Sequence, residues 1–214
     1  MEDKLSTKLG GWLVAIGALG VTIITGIYAA APPAASVPLP ADVPIAVALA
    51  ATRTASLKLT LAGSVGIVAD ILLIAGCALL ALRDGEPAVK RLFWIGLALS
   101  TGLFIVVDGL AGQVIPTIAA MTEKDLTAFA LARKSFDIAF VLGVATFGAA
   151  SLAAFAITDW PQLLRFAVLG LGILAFISVA LHLAGVTLPL LIGASVGLAG
   201  ILGIIIGVRE MRSA

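Results

Sequence analysis

Residues 57–82 read LKLTLAGSVGIVADILLIAGCALLAL, a stretch of twenty-six residues with two charges, Lys58 at its start and Asp70 near its middle. A run this long, apolar on every face, is not the one-sided pattern of a soluble surface helix, and about 20 such residues cross the ~30 Å hydrocarbon core of a bilayer. The segment is a transmembrane helix. Five further runs of the same kind, near Leu9–Ala30, Leu92–Ala120, Ser135–Ile157, Leu163–Ala184 and Leu188–Val208, fill most of the remaining chain. With 61% apolar and 12% charged residues among 214 and a mean hydropathy of +1.20, the composition excludes a soluble globular domain. The expected fold is all-α: one polytopic domain over residues 1–214, a bundle of six transmembrane helices.

The net charge of +1 supplies no basic field suited to nucleic acid. Cys77 is the single cysteine and His182 the single histidine, so the chain offers neither an internal disulfide nor a thiolate or paired-imidazole metal site, and no cofactor or metal is expected. Gly193-Ala194-Ser195-Val196-Gly197 matches G-x-S-x-G, but a nucleophile elbow needs a strand–turn–helix setting, and Ser195 lies in an apolar helix. No catalytic residue is assigned.

Six spans leave both termini on one side of the membrane. That side carries the eight cations Lys4, Lys8, Arg83, Lys90, Arg91, Arg165, Arg209 and Arg212, against five opposite, Arg53, Lys58, Lys124, Arg133 and Lys134. The positive-inside bias predicts cytoplasmic termini. Trp12, Trp94 and Trp160 fall at the same end, as expected for indole rings at the headgroup level. The first span is expected to be a retained anchor, because Glu2 and Asp3 precede it and its apolar stretch is longer than the ~7–15 residues of a secretory signal. Residues 31–44 contain Pro32, Pro33, Pro38, Pro40 and Pro44 and form a stiff outer loop. From Pro44 to Arg53 the chain reads as a short helix, lying along the interface or continuing into the second span.

In lipid, helices associate where small residues let backbones approach. Gly193, Gly197, Gly200, Gly203 and Gly207 lie along one face of the last span; Gly10, Gly17, Gly20 and Gly26 form a weaker set in the first. The last-span face is either an internal packing seam or a seam for a second copy or a partner subunit.

Ionisable residues held in lipid are costly and so are the functional candidates. Asp70 lies near the midplane, preceded on its face by Gly63 and Gly66. Asp108 falls in the outer half of the third span, followed by Gly109, Gly112 and Pro116, which loosen a helix. Depth along the spans gathers Lys58, Asp108, Gln113, Arg133, Lys134, Asp137 and His182 in the outer half, with Asp70 as their floor, and leaves the cytoplasmic half almost wholly apolar. Asp137 is expected to pair with Arg133 or Lys134 on its own helix. The ligand-binding candidates are Asp108, Asp70, Lys134, Arg133, Asp137 and His182.

Arg53 ahead of the span containing Asp70, the closing Leu79-Leu80-Ala81-Leu82-Arg83, the paired Lys90-Arg91, and Trp160-Pro161 followed by Arg165 and Gly170 give the chain a recognisable outline. In these features it resembles a family of bacterial six-span integral membrane proteins classed as a domain of unknown function. The resemblance implies a bacterial cytoplasmic membrane and carries no activity with it. The function expected from the polar residues is non-enzymatic: an outer-half pocket that binds a small or amphiphilic ligand for sensing or transport. The alternatives are an accessory or structural subunit with no ligand of its own and, third, an intramembrane enzyme using the aspartates.

Overall fold

The computed structural model describes residues 2–40 and 42–213; Ala41, in the proline-rich loop, and the side chains of Glu2, Asp3, Pro189 and Leu190 lie outside the described residues. Among the described residues the chain is helical, with short connections and no strand. The elements are α1 (Glu2–Ala29), a single turn α2 (Pro33–Ser36), α3 (Ile45–Ala81), α4 (Ala88–Gly109), a π-helical turn (Leu110–Val114) that leads directly into α5 (Ile115–Met121), α6 (Thr127–Ala154), α7 (Gln162–Leu183) and α8 (Pro189–Ser213). Six stretches are long and apolar enough to cross a membrane: α1, α3, the continuous rod from α4 through α5, α6, α7 and α8. Each turns large aliphatic side chains outward; Ile23, Val68, Leu99, Leu142, Ile177 and Ile201, one per span, are 47–62% exposed. Those faces need lipid, and the protein is an all-α, multi-pass membrane protein.

The residues after Pro44 take the second of their two expected courses and run straight into the second span, giving α3 37 residues. At ~1.5 Å per residue α3 measures about 55 Å, longer than the ~30 Å hydrocarbon core, so it extends beyond that core. The bundle has a terminal end, where α1 begins and α8 stops, and a loop end, which carries the proline-rich segment.

The spans form a ring in the order α1, α3, α4, α6, α7, α8. α1 is wedged between α3 and α8 and makes the two largest interfaces, while α7 and α8 touch least among ring neighbours. A first span placed this way is part of the fold's framework. Small residues explain its position. Gly10 and Gly17 on α1 meet Gly76 and Ala69 on α3, and the adjacent face of α1, with Gly11, Ala15, Ala18 and Thr22, receives Gly200, Gly203 and Gly207 of α8. The internal-seam alternative thus accounts for those three glycines, which α1 covers; Gly197 makes only an ordinary approach to Thr25, and Gly193 has nothing within 4 Å.

The expectation for the tryptophans is corrected. All three lie at the terminal end, but only Trp12 is exposed; Trp94 and Trp160 are 0% and 2% exposed and pack edge-on with Phe93. Their location reports core packing and not headgroup preference, so it adds nothing to the charge argument for orientation. Outside the spans, Asp125 lies two residues ahead of α6: its Oδ1 accepts from the Thr127 hydroxyl at 2.6 Å and the Thr127 N–H at 2.9 Å, and these bonds hold its carboxyl below the usual range.

Candidate functional site

Within the ring lies a partly open cavity of about 120 Å³ to which all six spans contribute. Its lining is mostly apolar and includes Phe93, Phe104, Phe136, Phe140 and Phe147. Ser36 of α2 lines it at the loop end, and Phe93, backed by Trp94 and Trp160, closes it at the terminal end.

Two carboxyl groups interrupt this lining. Asp108 stands just before the π turn, where Pro116 has no N–H to offer the Gly112 carbonyl and the rod widens, the Ile115 N–H bonding to Leu110 O five residues back. Gly63 and Gly112 bring α3 against this bulge: a Cβ on Gly63 would lie 2.6 Å from the Gly112 Cα. One turn on, Gly66 leaves the notch that holds the Asp108 carboxyl, and any Cβ there would overlap Oδ2. The other oxygen, Oδ1, accepts the Tyr28 hydroxyl at 2.9 Å. Asp70 lines the same cavity from α3, is 2% exposed, and its Oδ2 has no hydrogen-bond partner. Neither aspartate takes part in a salt bridge among the described residues.

The other four candidates do not line the cavity. Arg133, 1% exposed, donates to Ala35 O at 3.0 Å and Val37 O at 2.7 Å, and lies over the Phe136 ring. Asp137 accepts the Leu39 N–H at 3.3 Å. Asp137 forms no salt bridge with Arg133 or Lys134 among the described residues; instead it and Arg133 both fasten the proline-rich segment across the loop end, where the single turn of α2 leaves backbone groups to be satisfied by side chains. Lys134 is exposed, and His182 Nδ1 sits 2.9 Å from the Thr187 hydroxyl beyond the end of α7. Lys58 and Arg53 likewise serve helix ends, Lys58 donating to Ala30 O at 3.2 Å and Arg53 to Ala119 O at 2.9 Å and to Thr122 O. Equal depth did not put these residues on one face. Ser195, for its part, bonds Leu191 O on its own helix, 2.8 Å away.

The terminal end is not almost wholly apolar. Lys90, 3% exposed and not the interfacial cation that its place in the sequence suggests, is within 2.9 Å of Glu210, 3.0 Å of Asp159 and 3.2 Å of Glu86. Arg83 adds contacts of 3.5 Å to Glu86 and 4.0 Å to Glu210, and Trp160 Nε1 donates to Glu210 at 3.1 Å. This network ties the α3–α4 connection, the start of α4, the α6–α7 connection and the last turns of α8 into one plug beneath the aromatic floor of the cavity.

No family model, curated protein or solved structure matches the chain.

Sequence reasoning missed Tyr28, Glu86, Asp159 and Glu210. Tyr28 is the chain's one tyrosine, in the last turn of the first span. A phenol placed there, at the depth of Asp108, was the available signal. Glu210 had one too: a carboxylate near a helix C-terminus opposes the helix dipole and so needs a cation nearby.

Proposed function

We propose that the protein holds a small amphiphilic molecule inside its bundle, for sensing or transport, in a bacterial cytoplasmic membrane with both termini in the cytoplasm. The observation that carries this reading is the cavity inside the ring, whose apolar walls are broken by Asp70 and Asp108, with Asp70 Oδ2 lacking a hydrogen-bond partner. Buried polar groups without partners are costly and are found chiefly where something else satisfies them. The thin α7–α8 interface supports a side route from the bilayer for such a molecule. A structural-subunit reading finds support in Arg133, Asp137 and Lys90, all of which serve internal bonds, but it leaves the two cavity aspartates without a role.

The cavity is tested by melting the detergent-purified protein against a panel of small amphiphiles. At least one is expected to raise the melting temperature, since a ligand at about 100 times its Kd adds about 2.7 kcal/mol to the folded state. Ala175→Phe, which fills the cavity from α7, is expected to abolish that rise. No shift with any member would leave the structural-subunit reading standing.

Orientation rests on the eight-to-five cation count. In a Cys77→Ala background, cysteine at Asp42 is expected to react with an impermeant thiol reagent added to intact cells, and cysteine at Ala88 is not; both positions are exposed and lie at opposite ends. The reverse pattern would invert the protein.

A further inference from the structure

The cavity presents three titratable groups, Tyr28 from α1, Asp70 from α3 and Asp108 from α4. From α6, α7, α8 and α2 it receives phenylalanines, small aliphatics and the hydroxyls of Ser195 and Ser36, none of them ionisable near neutrality. At the loop end Arg53, Lys58 and Arg133 donate to backbone carbonyls and Lys134 is exposed, Lys90 and Arg83 of the terminal plug pair with Glu86, Asp159 and Glu210, and no salt bridge among the described residues reaches Asp70 or Asp108. Gly66 and the Gly63–Gly112 contact fix where the Asp108 carboxyl stands, and Tyr28 holds one of its oxygens, so the group is positioned and not free to swing toward a distant lysine. Two carboxyls lining one apolar cavity call for positive charge, either a proton on one of them or a bound cation. The rest of the lining narrows the choice. The hydroxyls of Thr25, Ser36, Ser100, Thr101 and Ser195 also line it, but each donates to a backbone carbonyl, whereas Phe93, Phe104, Phe136, Phe140 and Phe147 offer aromatic faces; that favours an organic ammonium over a metal ion that needs six or more oxygens.

We propose that the wall formed by Tyr28, Asp70 and Asp108 is a subsite for a lipophilic organic monocation, an ammonium on a small apolar body, which replaces a proton carried by one of the two carboxyls. This deepens the ligand-binding reading and rests on it. The exchange balances: one carboxyl O–H bond breaks, the proton passes to water, and the cation's single positive charge replaces it.

The test uses the full chain in a non-ionic detergent with two isosteric probes, phenyltrimethylammonium and neutral tert-butylbenzene. The charged probe is expected to raise the melting temperature more than the neutral one and to release one proton per molecule bound in weakly buffered solution. Its affinity should rise about tenfold per pH unit while the pair still holds its proton. Asp70→Asn and Asp108→Asn are each expected to remove the preference for charge while keeping the response to tert-butylbenzene. Equal shifts by both probes in the parent protein, without proton release, would overturn the cation subsite and leave the cavity reading intact. No shift by either probe would overturn both. Should the asparagine variants fail to fold, the isostere comparison and the pH slope in the parent protein decide alone.

Discussion

Replacing Lys90 with methionine is expected to lower stability by about 3–5 kcal/mol, the usual result of removing one partner from a buried ion pair. The side chain is almost entirely enclosed and meets three carboxylates within 3.2 Å. Without it, the salt bridges left to Glu86 and Glu210 among the described residues are those of Arg83, at 3.5 and 4.0 Å, and Asp159 has none. For a chain of this size the loss corresponds to a fall in melting temperature of about 6–20 °C. The sign of the coupling makes the test specific. Lys90→Met combined with Glu210→Gln removes one uncompensated charge together with its partner, so the double variant should be more stable than Lys90→Met alone, and less destabilised than the sum of the two single changes. A Lys90→Met protein that melts within a degree or two of the parent would show that the network contributes nothing to the fold.

The spans, their number and the all-α class were legible because lipid imposes a length and a composition on every crossing segment. The six helices of Lys4–Ala29, Ile45–Ala81, Ala88–Met121, Thr127–Ala154, Gln162–Leu183 and Leu191–Ser213 enclose the six apolar runs to within a turn or two, except where α3 reaches back to Pro44. Asp70 and Asp108 were legible as candidates for the same reason: a carboxyl at mid-membrane depth has few innocent explanations. What depth cannot supply is azimuth. Arg133 and Asp137 share the level of Asp108, yet they face the proline-rich segment, some 96–98 residues earlier in the chain. Lys90 and Glu210, 120 positions apart, show the same limit at the other end. Arg53, Arg83, Lys90, Trp160 and Arg165, the landmarks of the sequence outline, all bond to helix ends, loops or the terminal plug. These residues fasten loops and helix ends to the bundle, so the outline they give the sequence says little about what occupies its centre.

Both ends of the cavity are fastened by such long-range bonds, Arg133 and Asp137 at the loop end, Lys90 and Glu210 at the terminal end. The side walls differ in how they are made. Between α3, α1 and α8 the backbones touch through glycine, whereas α7 meets α8 over a smaller area. The two sides of the ring therefore differ: the glycine side resists separation, and the α7–α8 side has least to lose by parting.

The glycine side gives the second large effect. A Cβ added at Gly76 would lie 2.7 Å from Val14 N and 2.8 Å from Gly10 O; at Gly207, 2.6 Å from Ala15 N and 2.7 Å from Gly11 O. These neighbours are backbone atoms of α1 and cannot rotate aside, so the methyl is accommodated only if two helices move apart along their whole contact. Loss of that close packing removes the main attraction between helices in lipid, where no hydrophobic effect draws them together. Gly76→Ala and Gly207→Ala are each expected to cost about 3 kcal/mol, the upper part of the usual range for overpacking. Gly193 and Gly26 are the controls, since a Cβ there meets nothing within 4 Å. Alanine at either should leave stability unchanged or raise it by up to about 1 kcal/mol through helix propensity. Gly197→Ala belongs with the controls too, because its Cβ would make only a 3.5 Å contact with Thr25. The five glycines of the last span look equivalent along the sequence, and thermal melts of the alanine series should separate them. Equal losses at Gly193 and Gly207 would mean that α1 does not lie against α8 in this register.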